Sequence, residues 1–195
     1  PMASANDEIL DLMTTRALDL QRLAAGQSRD VVRFLNDLEG DIVAQLARID
    51  PTGIGSISRR AARLEKLLAQ VKATVAGSFR AEGVRLANEL REIADMEAKF
   101  AASAINQGAG VQLITTELTR GQLTAITGNL LVQGSPVSEL LSRQAGDVLQ
   151  RFTDNMRLGI AQGETNGELI RRIRGGKQNG AIVEGFMKIS RAHAE

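Results

Sequence analysis

VVRFLNDLEGDIVAQLARIDPTGIGSISRRAARLEKLLAQVKATVAGSF, Val31 to Phe79, decides the fold. Before its DPTGIGS centre, Val31, Leu35, Leu38, Ile42, Leu46 and Ile49 recur at steps of three and four. After it, Leu64, Leu68, Val71, Val75 and Phe79 do the same. That period predicts two amphipathic helices, each with one apolar stripe. Pro51, Gly53 and Gly55 make the centre a turn, and Ser56 is a ready N-cap for the second helix. A turn this short sends the second helix back antiparallel to the first.

Both stripes extend outward. Ile9, Leu12, Met13, Leu20 and Leu23 precede the first, with an interruption expected at Gly26 and Ser28. Leu86, Leu90, Ile93 and Phe100 prolong the second. Arms of roughly 45 residues would each run about 65–70 Å. The fold class expected is therefore all-α and elongated, with a long helical hairpin over 1–107 and a smaller helical region over 108–195. NQGAG, Asn106 to Gly110, marks the boundary. Two stripes make a seam rather than a core, so a third helix or a partner chain must cover them. Antiparallel arms also set acidic Asp37 and Asp41 near basic Arg63 and Lys66, which predicts ion pairs between the arms.

Composition supports this class. The 195 residues are 43% hydrophobic but only 3% aromatic, with five Phe and neither Trp nor Tyr. Such a core is built from aliphatic side chains, as in bundles and coiled coils. Absence of cysteine excludes disulfides and Cys-type zinc sites. Net charge is +1, unevenly spread. Residues 1–50 carry five Arg against nine Asp and Glu, net −4, whereas residues 51–110 carry nine basic against six acidic, net +3. No segment is basic enough to announce tight nucleic-acid binding. No apolar run approaches about 20 residues, so no membrane segment is expected. PMASANDEIL is acidic and has no signal-peptide apolar core.

Beyond the boundary, LITTELTRGQLTAI predicts a shorter helix in which Thr119 and Gln122 form a capping box. Leu130–Val132 fits either strand or helix. Ser135-Pro136 reads as N-cap and N1 of a helix running to about Ala161. Then comes GIAQGETNGELIRRIRGG, Gly159 to Gly176, with five glycines and three arginines. Gly163 suits a left-handed helix end, and Thr165 with Glu168 suits a second capping box. Leu169, Ile170 and Ile173 give the next helix an apolar face, and Gly175-Gly176 ends it. A phosphate loop fits poorly, because no Gly-x-x-x-x-Gly-Lys-Ser/Thr is present. A helix-turn-helix over 150–175 remains open. So does a plain helical corner whose Arg171, Arg172 and Arg174 face solvent or a partner.

The residues LLVQGSPVSELLSRQAGDVLQRFTDNMRLGIAQGETNGELIRRIRGG resemble the phage head-morphogenesis family, the minor capsid proteins similar to phage Mu protein F. The likeness lies in the Gly-Ser-Pro helix start, the long helix with Arg and Phe, Gly159-Ile160, Gly163-Glu164 and Ile170-Arg171-Arg172-Ile173-Arg174-Gly175. It spans roughly residues 125–195. It implies a virion protein inside the head or at the portal vertex, present in the host cytoplasm during assembly. Its partners would be portal or capsid proteins and copies of itself, with non-specific contact to packaged DNA. Head assembly, DNA packaging or ejection would be its role. Family members continue past an alanine-rich helix with an Arg-Thr-type motif, so sequence beyond ISRAHAE is expected.

No catalytic residue, cofactor or metal is expected, and the chain is not read as an enzyme. His193 is the one histidine, with only Glu184 and Glu195 near it in sequence, too few for a metal set. Glu89 and Glu92 read as a solvated face; Met13, Met96, Met156 and Met187 read as core fillers. Arg59, Arg63 and Lys66 share one helix face and suit either DNA phosphates or the acidic first arm. The rival functions are a helix-turn-helix regulator and a coiled-coil adaptor.

Overall fold

The computed structural model describes residues 5–112, 117–132, 134–178 and 181–187. His193 and Glu195 lie outside them. Among the described residues five helices dominate: α1 (Ala5–Ile49), α2 (Ile57–Ala109), α3 (Arg120–Gly128), α4 (Val137–Ala161) and α5 (Asn166–Arg174). Two small antiparallel ribbons accompany them. β1 (Leu131–Val132) pairs with β2 (Ser135–Pro136), and β3 (Gly175–Gln178) pairs with β4 (Ala181–Glu184). The all-α expectation holds, with α1 and α2 packed as a long hairpin.

α1 runs unbroken through Gly26, contrary to the expected interruption. A single glycine costs about 1 kcal/mol in a helix, too little to stop one already nucleated on both sides. The turn forms where expected. Asp50 takes a left-handed backbone, φ 38°, and its carboxylate accepts bonds from the Thr52 amide at 3.1 Å and hydroxyl at 2.8 Å. Ser56 Oγ accepts from the Arg59 amide at 3.4 Å.

Packing groups the chain into two compact units, 28–82 with 139–195 and 1–27 with 83–138. In the first, Leu35, Leu38, Ile42, Val43 and Leu46 of α1 meet Leu67, Val71, Val75 and Phe79 of α2. Val148, Phe152 and Met156 of α4, Leu169 and Ile173 of α5, and Phe186 with Met187 join the same cluster. This supplies the third layer that a two-helix seam requires. Phe34 meets Phe79 edge-on at 5.1 Å, and Phe152 meets Phe186 at 6.4 Å.

The second unit is more open. Arg16 of α1 donates to Glu97 of α2, Nε to Oε1 at 2.7 Å, and its guanidinium stands 5.5 Å from the Phe100 ring centroid. Ala102 and Ala104 are buried. Among the described residues of this unit no large aliphatic side chain is buried, and Leu10, Met13, Leu18, Val84 and Met96 are exposed. Met156 and Met187 fill the core as expected, but Met13 and Met96 do not: among the described residues both are left exposed.

Ser135-Pro136 is a second departure. Instead of capping α4, these residues pair with Leu131–Val132, and the helix starts at Val137. Gly134 sits in the left-handed region, φ 79°, in the short link between the two strands. Leu113–Thr116, part of the expected short helix, lie outside the described residues; α3 itself begins at Arg120.

The contrast between the units sets an expectation for stability. Leu38→Ala, at a fully packed site, should cost about 2–5 kcal/mol in urea unfolding. Leu10→Ala, at a site 67% exposed, should cost less than about 0.5 kcal/mol.

Candidate functional site

The glycine- and arginine-rich stretch from Gly159 to Gly176 forms a corner between α4 and α5. α4 ends in a Schellman motif: the Glu164 amide donates to Gly159 O at 2.9 Å and the Gly163 amide to Ile160 O at 3.1 Å. Gly163 has φ 75°, the left-handed value this closure needs. Thr165 then opens α5. Its hydroxyl accepts from the Glu168 amide at 3.4 Å, and Glu168 Oε2 accepts from the Thr165 amide at 2.8 Å. The sequence-predicted capping box is present, as is that of Thr119 and Gln122 at α3. Those bonds from Thr165, amide first and hydroxyl second, hold the Glu168 carboxyl below its ordinary pKa of 4.5.

The three arginines have separate jobs. Arg172 forms a bidentate pair with Glu164, Nε to Oε2 and Nη2 to Oε1 both at 2.6 Å, and also reaches Gln162 Oε1 at 2.5 Å. The pair is largely covered, with side chains 17% and 10% exposed, and the bond to Glu164 raises the Arg172 pKa further. Arg174 leans toward Glu39 of α1 at 3.5 Å. Arg171 is exposed, 3.9 Å from Glu168. The trio is thus not one solvent-facing patch: its central member is locked inside the corner.

Two glycines make room for this. A Cβ at Gly159 would overlap Leu169 Cδ2, sit 2.6 Å from Glu164 Oε2 and stand 3.3 Å from Arg172 Nε. A Cβ at Gly185 would collide with the backbone of Ile173, Arg174 and Gly175. Asn166 adds a tie to the hairpin, donating from Nδ2 to Leu46 O at 3.2 Å. α5 does not simply break at Gly175-Gly176. Gly175, φ 82°, caps it and leads directly into β3, which β4 pairs residue by residue.

The second candidate set also divides. Arg63 turns back onto the hairpin loop, donating to Gly53 O and to Ile54 O at 3.3–3.4 Å, so it satisfies carbonyls that the turn leaves open. Arg59 and Lys66 are exposed. Among the described residues the side chains of these two, and those of Asp37 and Asp41, form no hydrogen bond or ion pair. The arms are instead joined in this unit by apolar packing and by Gln45 Nε2 donating to Thr74 Oγ1 at 2.6 Å. Glu89 pairs with Arg85 at 2.5 Å rather than with Glu92. Among the described residues no group of acidic, His or Cys side chains is placed to hold a metal, and no helix is long and apolar enough to cross a membrane.

The residues that sequence reasoning missed are Gly185, Asn166, the Glu164–Arg172 pair and the β3–β4 ribbon. Only the ribbon had a visible signal: Asn179-Gly180 lies between its arms, a dipeptide favoured in two-residue hairpin loops. The others depend on how the chain packs back on itself, over eight residues for Glu164 with Arg172 and over 120 for Asn166 with Leu46. Comparison with family models, curated proteins and solved structures found no match to this chain.

Gly159→Ala should destabilise the protein by about 2–3 kcal/mol, since Leu169 and the ion pair must both give way. Gly167→Ala, with nothing within 4 Å, should be neutral or slightly stabilising. Denaturant midpoints of the two variants check this. Acid tests the cap. The folded pKa of Glu168 is depressed, so its contribution is fully present above about pH 4.5 and is lost as pH falls through the folded value. Amide chemical shifts at Thr165 should follow that titration, and Glu168→Gln should abolish it.

Proposed function

We propose that this chain is a structural component of a bacteriophage particle: a minor head or portal-associated protein acting in head assembly or in DNA packaging and ejection. One observation carries the reading. The residues of the family-like motif are the ones the corner is made from. Gly159 gives the close approach, Gly163 the left-handed turn, Glu164 the partner of Arg172, and Ile173 the core contact. A likeness confined to freely varying surface residues would carry less weight than one in residues fixed by packing. The uncovered apolar side chains of residues 1–27 and 83–138 further support a protein that works against partners, here portal or capsid subunits and copies of itself. Contact with packaged DNA would fall to exposed cations such as Arg59, Lys66 and Arg171, without base readout.

A helix-turn-helix at 150–175 is less favoured by the same geometry. A recognition helix must offer side chains to base edges. α5 buries Leu169 and Ile173, commits Arg172 to Glu164 and leans Arg174 on Glu39.

Quantitative mass spectrometry of purified particles, before and after DNA ejection, tests the proposal. Peptides of this chain at roughly a few to a few tens of copies per particle are expected. Loss with the genome would identify an ejected protein, and retention a fixed one. Absence from both preparations would overturn the virion reading.

A further inference from the structure

The hairpin turn ends in a knob with two apolar side chains and no cover. Ile54 is fully exposed and Ile57 is 82% exposed. Arg59 and Arg60, one turn further on, are exposed and form no hydrogen bond or ion pair through their side chains among the described residues. Arg63 braces the knob from behind, so the isoleucines stand on an ordered turn. Exposed isoleucines on a rigid, basic projection suit a hollow that is apolar at its floor and acidic at its rim.

The chain itself contains such a hollow. Within the other unit, a cleft of about 490 Å³ lies between α1 and α2, with Leu12, Arg16 and Phe100 among its lining residues and Glu8, Asp11 and Asp19 beside them. Arg16 is neutralised there by Glu97, and Asp19 rests on Arg22 at 3.2 Å. Glu8 and Asp11, one turn apart on α1, form no ion pair among the described residues. Two uncommitted acids flank the cleft and two uncommitted arginines flank the knob.

We infer that this cleft receives the hairpin knob of a second copy of the chain, with Ile54 and Ile57 seated toward Leu12 and Phe100, and with Arg59 and Arg60 facing Glu8 and Asp11. The match of apolar to apolar and cation to anion is what selects another copy as the occupant. The two surfaces differ, so the contact is heterologous. Each copy keeps one knob and one cleft free, and assembly proceeds to a closed ring or an open chain. This inference stands apart from the virion proposal: self-association is read on purified protein, whatever its biological setting.

Sedimentation velocity of the full chain, over a range of concentrations and salt, tests it. The wild type should self-associate, and added salt should weaken the association. Ile54→Asp with Ile57→Asp should lower the association constant by about tenfold or more. Arg59→Glu with Arg60→Glu, and separately Glu8→Lys with Asp11→Lys, should each do likewise while leaving the helical circular dichroism and melting temperature unchanged. Mixing those last two variants should restore association, because the acidic knob of one then fits the basic cleft of the other. A wild type that stays monomeric would overturn the inference. So would charge variants that associate as the wild type does, or a mixture that fails to recover.

Discussion

A methyl group at position 159 would sit 2.6 Å from a Glu164 carboxylate oxygen and inside the space of the Leu169 side chain. The absence of a side chain at Gly159 lets α5 fold back against the end of α4 closely enough for Leu169 and Ile173 to reach the core of the hairpin. Once there, the short helix is held by dissimilar contacts. The Schellman closure ends α4, the Thr165 box starts α5, and the Arg172–Glu164 pair spans the bend. Gly185 repeats the device on the other side, where a side chain would strike the backbone at the end of α5.

The two units show what a third layer does for a helical pair. Where α4 and α5 cover the hairpin, the stripes of α1 and α2 become a continuous core with leucines at zero exposure. In the other unit, among the described residues, side chains of the same type remain exposed or half-covered, Ala102 and Ala104 are buried, and the Arg16 guanidinium links the arms through Glu97 and Phe100. The apolar spacing continues into the outer stretches, though with steps of seven at Met13–Leu20 and Ile93–Phe100. Periodicity reports which face of a helix is apolar; it does not report whether that face has found a neighbour.

Much of the architecture was legible because local chemistry determined it. The Asp50–Ser56 turn, both capping boxes, the left-handed Gly163 and the stop near Ala161 all follow from residues within a few positions of one another. The apolar members of the core in α1 and α2 were legible from spacing, apart from Val43 and Leu67, which lie at the edges of their stripes. What stayed hidden was tertiary. Arg63 could be placed on a helix face but not turned onto its own loop. Arg172 could be counted with its neighbours but not paired with Glu164. Gly26 marked an interruption by propensity that the surrounding helix overrode, and Ser135-Pro136 matched a helix start so well that its pairing with Leu131–Val132 was masked. The corner was legible as a corner; that it completes the hairpin core was not.

That completion is open to direct measurement by native-state hydrogen exchange. If α5 is part of the core, amides in its second turn, such as Ile173, should open with free energies close to those of Leu38 and Ile42 in α1, as one cooperative unit. Amides of α5 that exchange by a separate, low-energy opening while α1 stays protected would show a helix merely docked on the hairpin, and would contradict the account.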